Sequence, residues 1–141
     1  MPDSHADPDV EPSDLPRWEW DVVVAVALGG IAGAEARYGL GLLDKHGAEQ
    51  FPWMTLVINA VGCVLIGALI AALARSARAP RLARPLLGTG VLGGFTTFST
   101  FNVDLVTLAD HHCWGLAAAY LAATVVTCLL GVVIGSALVA R

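Results

Sequence analysis

Four long apolar runs dominate this sequence and set what the chain can fold into. They cover residues 22–43, 55–74, 85–109 and 114–140. Each reaches the length of roughly 20 residues that an α-helix needs to cross a hydrocarbon core about 30 Å thick. A helix also satisfies its own backbone hydrogen bonds where there is no water. The runs therefore predict an all-α membrane protein with four transmembrane helices.

The distribution of charged residues agrees with this prediction. Apolar residues make up 56% of the chain and charged residues only 14%, which is not the balance of a water-soluble domain of this size. Seven of the twelve acidic residues lie within residues 1–21, together with four prolines. This segment is predicted to be a disordered acidic tail without the features of a signal peptide, and residues 22–141 to form one transmembrane domain.

The basic residues are distributed unequally between the two sides of the predicted bundle. Six of them fall on the side of the termini, namely Arg17, Arg75, Arg78, Arg81, Arg84 and Arg141. Only Arg37 and Lys45 fall towards the other side. Because positive charge is retained in the cytoplasm, this bias predicts a multi-pass protein of the cell membrane with both termini cytoplasmic and a single orientation.

The third run has an unusual sequence for a membrane helix. Residues 88–102 read GTGVLGGFTTFSTFN, so that four glycines precede a stretch of β-branched and hydroxyl residues. Such a composition predicts a break at the centre of the third helix. Interrupted backbone at membrane depth is tolerated only where it is buried in protein, lines water or holds an ion. Carbonyl groups freed by the break would be hard oxygen ligands suited to a small hard cation.

Hydrogen-bond donors alternate with aromatic rings around the predicted break. Thr96, Thr97, Ser99, Thr100 and Asn102 are interleaved with Phe95, Phe98 and Phe101. The phenylalanines are spaced by three residues, which predicts one row on a helix. Ring edges carry partial positive charge and can meet an anion without the tight hold of a cationic side chain. Conduction needs sites of this kind, which bind well enough to dehydrate an ion and weakly enough to release it.

Three ordered motifs resemble those of the Fluc/CrcB family of fluoride channels. The segment 93–101, GGFTTFSTF, is similar to the family signature GGxTTFSTF. The segment 29–38, GGIAGAEARY, resembles the first-helix motif that ends in Arg-Tyr, and 55–62, TLVINAVG, resembles the second-helix motif TLxxNxxG. The resemblance covers the first three runs and, through the spacing of polar residues, the fourth.

The resemblance implies a passive fluoride exporter that relieves fluoride toxicity, built as an antiparallel dimer in the lipid bilayer, and no enzyme. Backbone carbonyls of Gly93 and Thr96, with those of the partner, would hold a structural Na⁺ that is not transported. The residues implied to line the pores are Phe98, Phe101, Asn59, Ser99, Thr100, Tyr120 and Thr124. Arg37 would lie in the vestibule.

The partner implied by the resemblance is either a second copy of this chain or a homologous subunit of opposite orientation. The charge bias favours the second arrangement. Three positions depart from the family pattern, because Cys128 replaces a usual hydroxyl residue, Phe95 a common leucine, and Met54 a frequent glycine. A thiol is a weaker hydrogen-bond donor than a hydroxyl.

Other interpretations of the same residues remain open at this point. Glu35 in the first run would suit a small proton-coupled multidrug exporter, which also uses four helices and an antiparallel dimer. A position at the membrane interface, or pairing with Arg37 or another helix, explains this residue better. A membrane scaffold without transport is a third possibility. Asn59 would serve as hydrogen-bonding contact between helices, and the glycine pairs 29/33, 90/94 and 131/135 as packing surfaces. Nothing in the sequence indicates nucleic-acid binding.

Minor patterns carry little weight. The segment 88–93 spells a dinucleotide-binding fingerprint, but it follows no predicted strand. His111 and His112 are more simply explained by a solvated turn than by a metal site. The three cysteines are odd in number and have no CxxC spacing, so neither a disulfide framework nor a zinc site is predicted.

Overall fold

The computed structural model describes residues 20–140, and this part of the chain is helical with short connections. Residues 1–19, most of the predicted tail, and Arg141 lie outside the described residues. The three long helices are α1 (Trp20–Gly41), α2 (Trp53–Arg75) and α5 (Trp114–Ala140). Within the described range, these are the helices long and apolar enough to cross a membrane.

The third apolar run is built from three short helical segments. A π-helix spans Arg84–Leu92, with a proline in its first turn, and is continued by the single turn α3 (Gly93–Phe95). The chain then leaves the helical path at Thr96, whose φ of −75° and ψ of 157° are extended. The helix α4 (Ser99–Asp110) resumes after three residues. The break predicted from the glycine and threonine content therefore lies at Thr96–Phe98, and it divides this run into pieces too short to count as one span.

Helix α1 packs directly against the π-helix and α3 through glycines. A Cβ at Gly33 would overlap the carbonyl oxygen of Val91, and one at Gly94 would approach the backbone of Gly30. The backbones therefore touch without side chains between them, which is the contact that small residues permit in membrane helices. Residue numbers rise together along the contact, so the two segments run parallel.

Helices α2 and α5 form a second parallel pair by the same means. A Cβ at Gly67 would overlap the carbonyl oxygen of Val132, and a Cβ at Gly135 would overlap that of Val64. Near the end of the contact, the guanidinium of Arg75 donates to the carbonyl oxygen of Ala140 at 3.2 Å. The glycine spacing in α5 thus sets how closely this pair can approach.

The buried core is small and lies where α2, α4 and α5 meet. It consists of Leu56, Phe101, Leu108, Ala117 and Tyr120. In the most apolar window of each long helix, at most 28% of the residues are buried inside the protomer. Most apolar side chains therefore face outwards, which is the expected arrangement for a protein dissolved in lipid.

The loop between α2 and the π-helix lies beside the ends of the bundle that carry residues 20–21 and 140. Arg81 of this loop pairs with the carboxylate of Asp21 at the start of α1. Arg75, the last residue of α2 before this loop, contacts the end of α5. The basic loop and the described ends of the chain are therefore on one side of the protein.

Candidate functional site

The break in the third run is held by the side chain of Asn59 in α2. Its Nδ2 donates to the carbonyl oxygen of Thr97 at 2.9 Å, and its Oδ1 accepts from the Thr97 backbone N–H at 2.8 Å. Asn59 is buried, so these bonds are shielded from water. One side-chain amide thus takes the place of the helical hydrogen bonds that the interrupted backbone has lost.

The hydroxyl of Thr97 bonds to the first turn of helix α4. It accepts from the Thr100 backbone N–H at 3.1 Å, as an N-cap side chain does, and donates to the Thr100 hydroxyl at 3.0 Å. The hydroxyl of Ser99 lies 3.2 Å from the same oxygen. The break therefore gathers three hydroxyl groups at one point, including those of the predicted site residues Ser99 and Thr100.

Two backbone N–H groups at the break, those of Thr97 and Thr100, bond to side chains, so the carbonyls that would accept from them in a helix lose these partners. In a continuous helix the N–H of Thr97 would bond to the carbonyl of Gly93, and that of Thr100 to the carbonyl of Thr96. Here the Asn59 amide and the Thr97 hydroxyl take those N–H groups. The carbonyls of Gly93 and Thr96 are hard oxygens of the type that binds small hard cations, so the residues fit the predicted Na⁺ ligands.

Arg37 extends from α1 to the same break. Its Nε donates to the carbonyl oxygen of Gly94 at 3.2 Å. Arg37 also lines a cavity of about 390 Å³, which we call the polar cavity and which includes Thr97, Thr100 and Asp104 in its wall. The predicted vestibule residue therefore both bonds to the broken backbone and contributes a positive charge beside it.

A second cavity of about 360 Å³ also borders the break. This central groove is lined by residues of α2, α3, the break, α4 and α5, among them Asn59, Cys63, Thr96, Phe98, Thr124 and Cys128. Thr97 belongs to the walls of both cavities. The interrupted backbone is thus the element that the two cavities share.

The predicted aromatic pair has two different environments. Phe98 is 77% exposed on the surface of the protomer, whereas Phe101 is 6% exposed within the core. Their ring centroids lie 5.9 Å apart, and Phe101 in turn packs on Tyr120 at 5.2 Å. Phe95 does not continue this row as the three-residue spacing had predicted, because the break at Thr96–Phe98 interrupts the helical period between them.

Helix α5 presents a stripe of polar side chains towards this aromatic pair. The hydroxyl of Tyr120 donates to Asp104 at 3.1 Å. One turn further on, Thr124 is 7% exposed and lines the central groove, and its hydroxyl has no hydrogen-bond partner among the described residues. A buried hydroxyl without a partner costs free energy, so it marks a position where a ligand or water is accommodated.

Sequence reasoning missed Asp104 as a site residue. This carboxylate lies in α4 and is bonded to Tyr120, and it lines the polar cavity opposite Arg37. The available signal was simple, because Asp104 is an ionisable residue within the third apolar run and such residues are functional candidates in membrane helices.

The residues that supported alternative interpretations lie elsewhere. Glu35 is exposed on the outer surface of α1. His111 lies 3.5 Å from Glu49 in the loops on the side of Lys45. Among residues 20–140, no three His, Cys, Asp or Glu side chains are grouped as a metal site.

Comparison with known proteins shows the family to which the chain belongs. Residues 24–136 match the family described as CrcB-like protein, Camphor Resistance (CrcB). The "Fluoride-specific ion channel FluC 2" of Streptomyces avermitilis is 50% identical over 103 residues, which are 73% of this chain and 65% of that protein. "Fluoride-specific ion channel FluC 1" of Streptomyces coelicolor is 47% identical over 82% of this chain and 75% of its own length.

A third relative matches over almost its whole length. The "Fluoride-specific ion channel FluC 1" of Mycobacterium bovis is 39% identical over 127 residues, which are 90% of this chain and 96% of that protein. The family match covers α2, most of α1 and α5, and the interrupted segment between them. With its apolar helices, this chain is a multi-pass membrane protein, and it belongs to the CrcB family.

Proposed function

We propose that this protein is a subunit of a fluoride channel through which cytoplasmic fluoride leaves the cell passively. The observation that carries the proposal is the interrupted third run, where hydroxyl groups, freed carbonyls and an exposed aromatic ring meet between two cavities. The relatives reported above are named as fluoride-specific ion channels, which supports fluoride as the ion. Such a channel relieves fluoride toxicity without any covalent chemistry.

Fluoride is a small, strongly hydrated anion, so its path must supply donors that replace water. The Thr124 hydroxyl is the best placed of these, since it is buried, lines the central groove and has no partner in the described part of the chain. The second N–H of the Asn59 amide and the hydroxyls of Ser99 and Thr100 add further donors along the break. The rings of Phe98 and Phe101 would meet the ion with their positive edges.

We further propose that a structural Na⁺ is held by the carbonyls of Gly93 and Thr96. Two carbonyls are too few for a hard cation, which usually takes about six oxygen ligands. A second subunit related by a twofold axis would raise the number to four, because that symmetry doubles each oxygen around a central point. When bound, the ion would supply a fixed positive charge at the dimer centre.

The proposed assembly is an antiparallel dimer of subunits that each cross the membrane four times. The fourth crossing would be the π-helix, α3 and α4 taken together, with the break near its centre. Both termini would lie in the cytoplasm of a cell-membrane protein, as the bias of six basic residues against two indicates. Because that bias favours one orientation, we propose a homologous subunit of opposite orientation as the partner, with a second copy of this chain as the alternative.

Two threonines of α5 give a matched test of the proposed path. The Thr127 hydroxyl is bonded to its own helix, at 2.6 Å from the carbonyl oxygen of Ala123, whereas that of Thr124 is not. Thr→Val exchange removes the hydroxyl and nearly preserves the volume at either site. In fluoride-electrode measurements of efflux from liposomes, Thr124→Val is expected to lose most of the flux.

The matched variant Thr127→Val is expected to conduct as the unaltered protein does, because its hydroxyl satisfies only a carbonyl of the same helix. Both variants are to be reconstituted with the partner subunit if the chain alone is silent. Unchanged efflux in Thr124→Val would contradict the proposed path, and absence of fluoride efflux in every combination would contradict the proposed function.

A further inference from the structure

Two of the three cysteines line the central groove, and the proposed function assigns no role to either thiol. They are Cys63 of α2 and Cys128 of α5. Both side chains are half-buried in the protomer. Both are free cysteines, and the third, Cys113, lies in the turn before α5.

The glycine contact between α2 and α5 explains why the two thiols are neighbours. A Cβ placed at Gly131 would lie 3.2 Å from the Cβ of Cys63, and Cys128 is one helical turn before Gly131. Residues three apart on a helix share a face. The Cys128 side chain therefore faces α2, one turn before the level at which the backbone of α5 approaches Cys63.

We propose that Cys63 and Cys128 form a two-thiol binding site for soft metal cations that prefer two sulfur ligands, inside the central groove. Thiolate is the ligand that soft metals select. Hg²⁺ would form two S–Hg bonds while both thiols release their protons to water. The resulting complex is neutral, which matters because an uncompensated charge is costly in apolar surroundings.

The position of the site predicts its effect on transport. Cys128 lies one turn beyond Thr124 on the polar stripe of α5, and both residues line the same groove as Phe98. A metal bridging Cys63 and Cys128 would tie α2 to α5 and occupy space beside the Thr124 hydroxyl. Fluoride, as a hard anion, does not displace a soft metal from sulfur. This part of the inference rests on the proposed function, whereas metal binding itself does not.

The binding experiment uses the full chain in detergent with one equivalent of Hg²⁺. Intact-mass measurement is expected to show the addition of one mercury and the loss of two hydrogens. A disulfide reagent that counts free thiols in the denatured protein is expected to find Cys113 alone. An adduct that loses a single hydrogen, or protection of one thiol only, would overturn the site.

Cysteine variants distinguish the two-thiol site from reaction of Hg²⁺ with a single cysteine elsewhere in the protein. Cys113→Ser is expected to keep the doubly bonded adduct, and Cys63→Ala to lose it. In liposomes, Hg²⁺ is expected to abolish fluoride efflux through the unaltered protein, and an excess of dithiothreitol is expected to restore it. Efflux through Cys63→Ala is expected to be the same with and without Hg²⁺.

Block that persists in Cys63→Ala and disappears in Cys113→Ser would overturn the inference. A protein that transports no fluoride even without metal would contradict the proposed function instead. The mass and the thiol count would still decide whether the site exists.

Discussion

The side-chain amide of Asn59 bonds to both backbone polar groups of a single residue, Thr97, in a neighbouring element. By bonding both the N–H and the carbonyl of Thr97, it lets the chain leave the helix without leaving those groups unsatisfied. The interpretation of Asn59 as a contact between helices and its interpretation as a pore residue are therefore compatible, since a lining residue can also hold the lining in place.

The two roles predict a loss of stability when the amide is removed. Asn59→Ala removes the partner of the Thr97 N–H and of the Thr97 carbonyl, and we expect a loss of about 1–3 kcal/mol for two hydrogen bonds in a membrane protein. Thermal unfolding in detergent measures this loss. The proposed function adds that fluoride efflux should fall as well.

Asn102→Ala is the matched control for this prediction. The Asn102 side chain donates to the Phe98 carbonyl, which also accepts from the Asn102 backbone N–H. The carbonyl thus keeps a partner when the side chain is shortened, and we expect a smaller shift in the unfolding temperature. Equal shifts for Asn59→Ala and Asn102→Ala would contradict the role given to Asn59.

At the scale of the elements, glycines determine how closely the helices approach. The contacts of Gly33 with Val91 and of Gly135 with Val64 bring backbone against backbone. Large apolar side chains mark the outer face of each helix, among them Leu28, Val57 and Leu129. The packing of the inner faces therefore requires shape complementarity between backbones, while the outer faces are covered by lipid.

Two glycines of α5 test this dependence. A methyl group at Gly135 would overlap the carbonyl oxygen of Val64, whereas Gly115 in the first turn has open space around it. Gly135→Ala is expected to destabilise the protein by about 1–3 kcal/mol, the usual cost of overpacking. Thermal unfolding and the yield of monodisperse protein in detergent are the measurements.

For Gly115→Ala we expect no loss and a gain of up to about 1 kcal/mol, because alanine has the higher helix propensity. The comparison removes the effect of the substitution itself, since both variants add one methyl group to the same helix. If Gly135→Ala were as stable as Gly115→Ala, the close approach of α2 and α5 would not be as described.

At the scale of the whole molecule, the distribution of basic residues and the packing of the helices place the basic loop and the described ends of the chain on the same side. The pair Arg81–Asp21 and the contact of Arg75 with Ala140 bring the basic loop to the described ends of the chain. The positive charge of the loop is therefore concentrated on the side where α1 begins and α5 ends. This concentration is what the membrane insertion machinery responds to.

The orientation can be measured with reporter fusions at either terminus. The unaltered chain is expected to place both termini in the cytoplasm. The double variant Arg78→Gln and Arg84→Gln lowers the bias from six against two to four against two, so we expect a minor inverted population. The double variant Arg78→Lys and Arg84→Lys keeps the charge and should keep one orientation. A near-equal mixture for the unaltered chain would contradict the fixed orientation and favour a dimer of identical chains.

The sequence by itself determined the features that depend on composition and local order. The apolar runs predicted helices for a lipid environment, and the glycine and threonine content of the third run predicted its interruption. The motifs around Arg37, Asn59 and Gly93 predicted the family. Each of these depends on residues close together in the chain, for which helical periodicity and hydropathy are sufficient guides.

Only the tertiary structure decided which groups meet across helices. It joined Asn59 to Thr97 and Tyr120 to the unanticipated Asp104, and it placed Cys63 and Cys128 in the wall of one groove. It also separated Phe95 from the other two phenylalanines and buried Phe101 while exposing Phe98. The physical reason is that a break ends the helical period, so the direction of every later side chain depends on how far the chain turns before the next helix begins. That turn is set here by hydrogen bonds to a different helix, which no local pattern of residues contains.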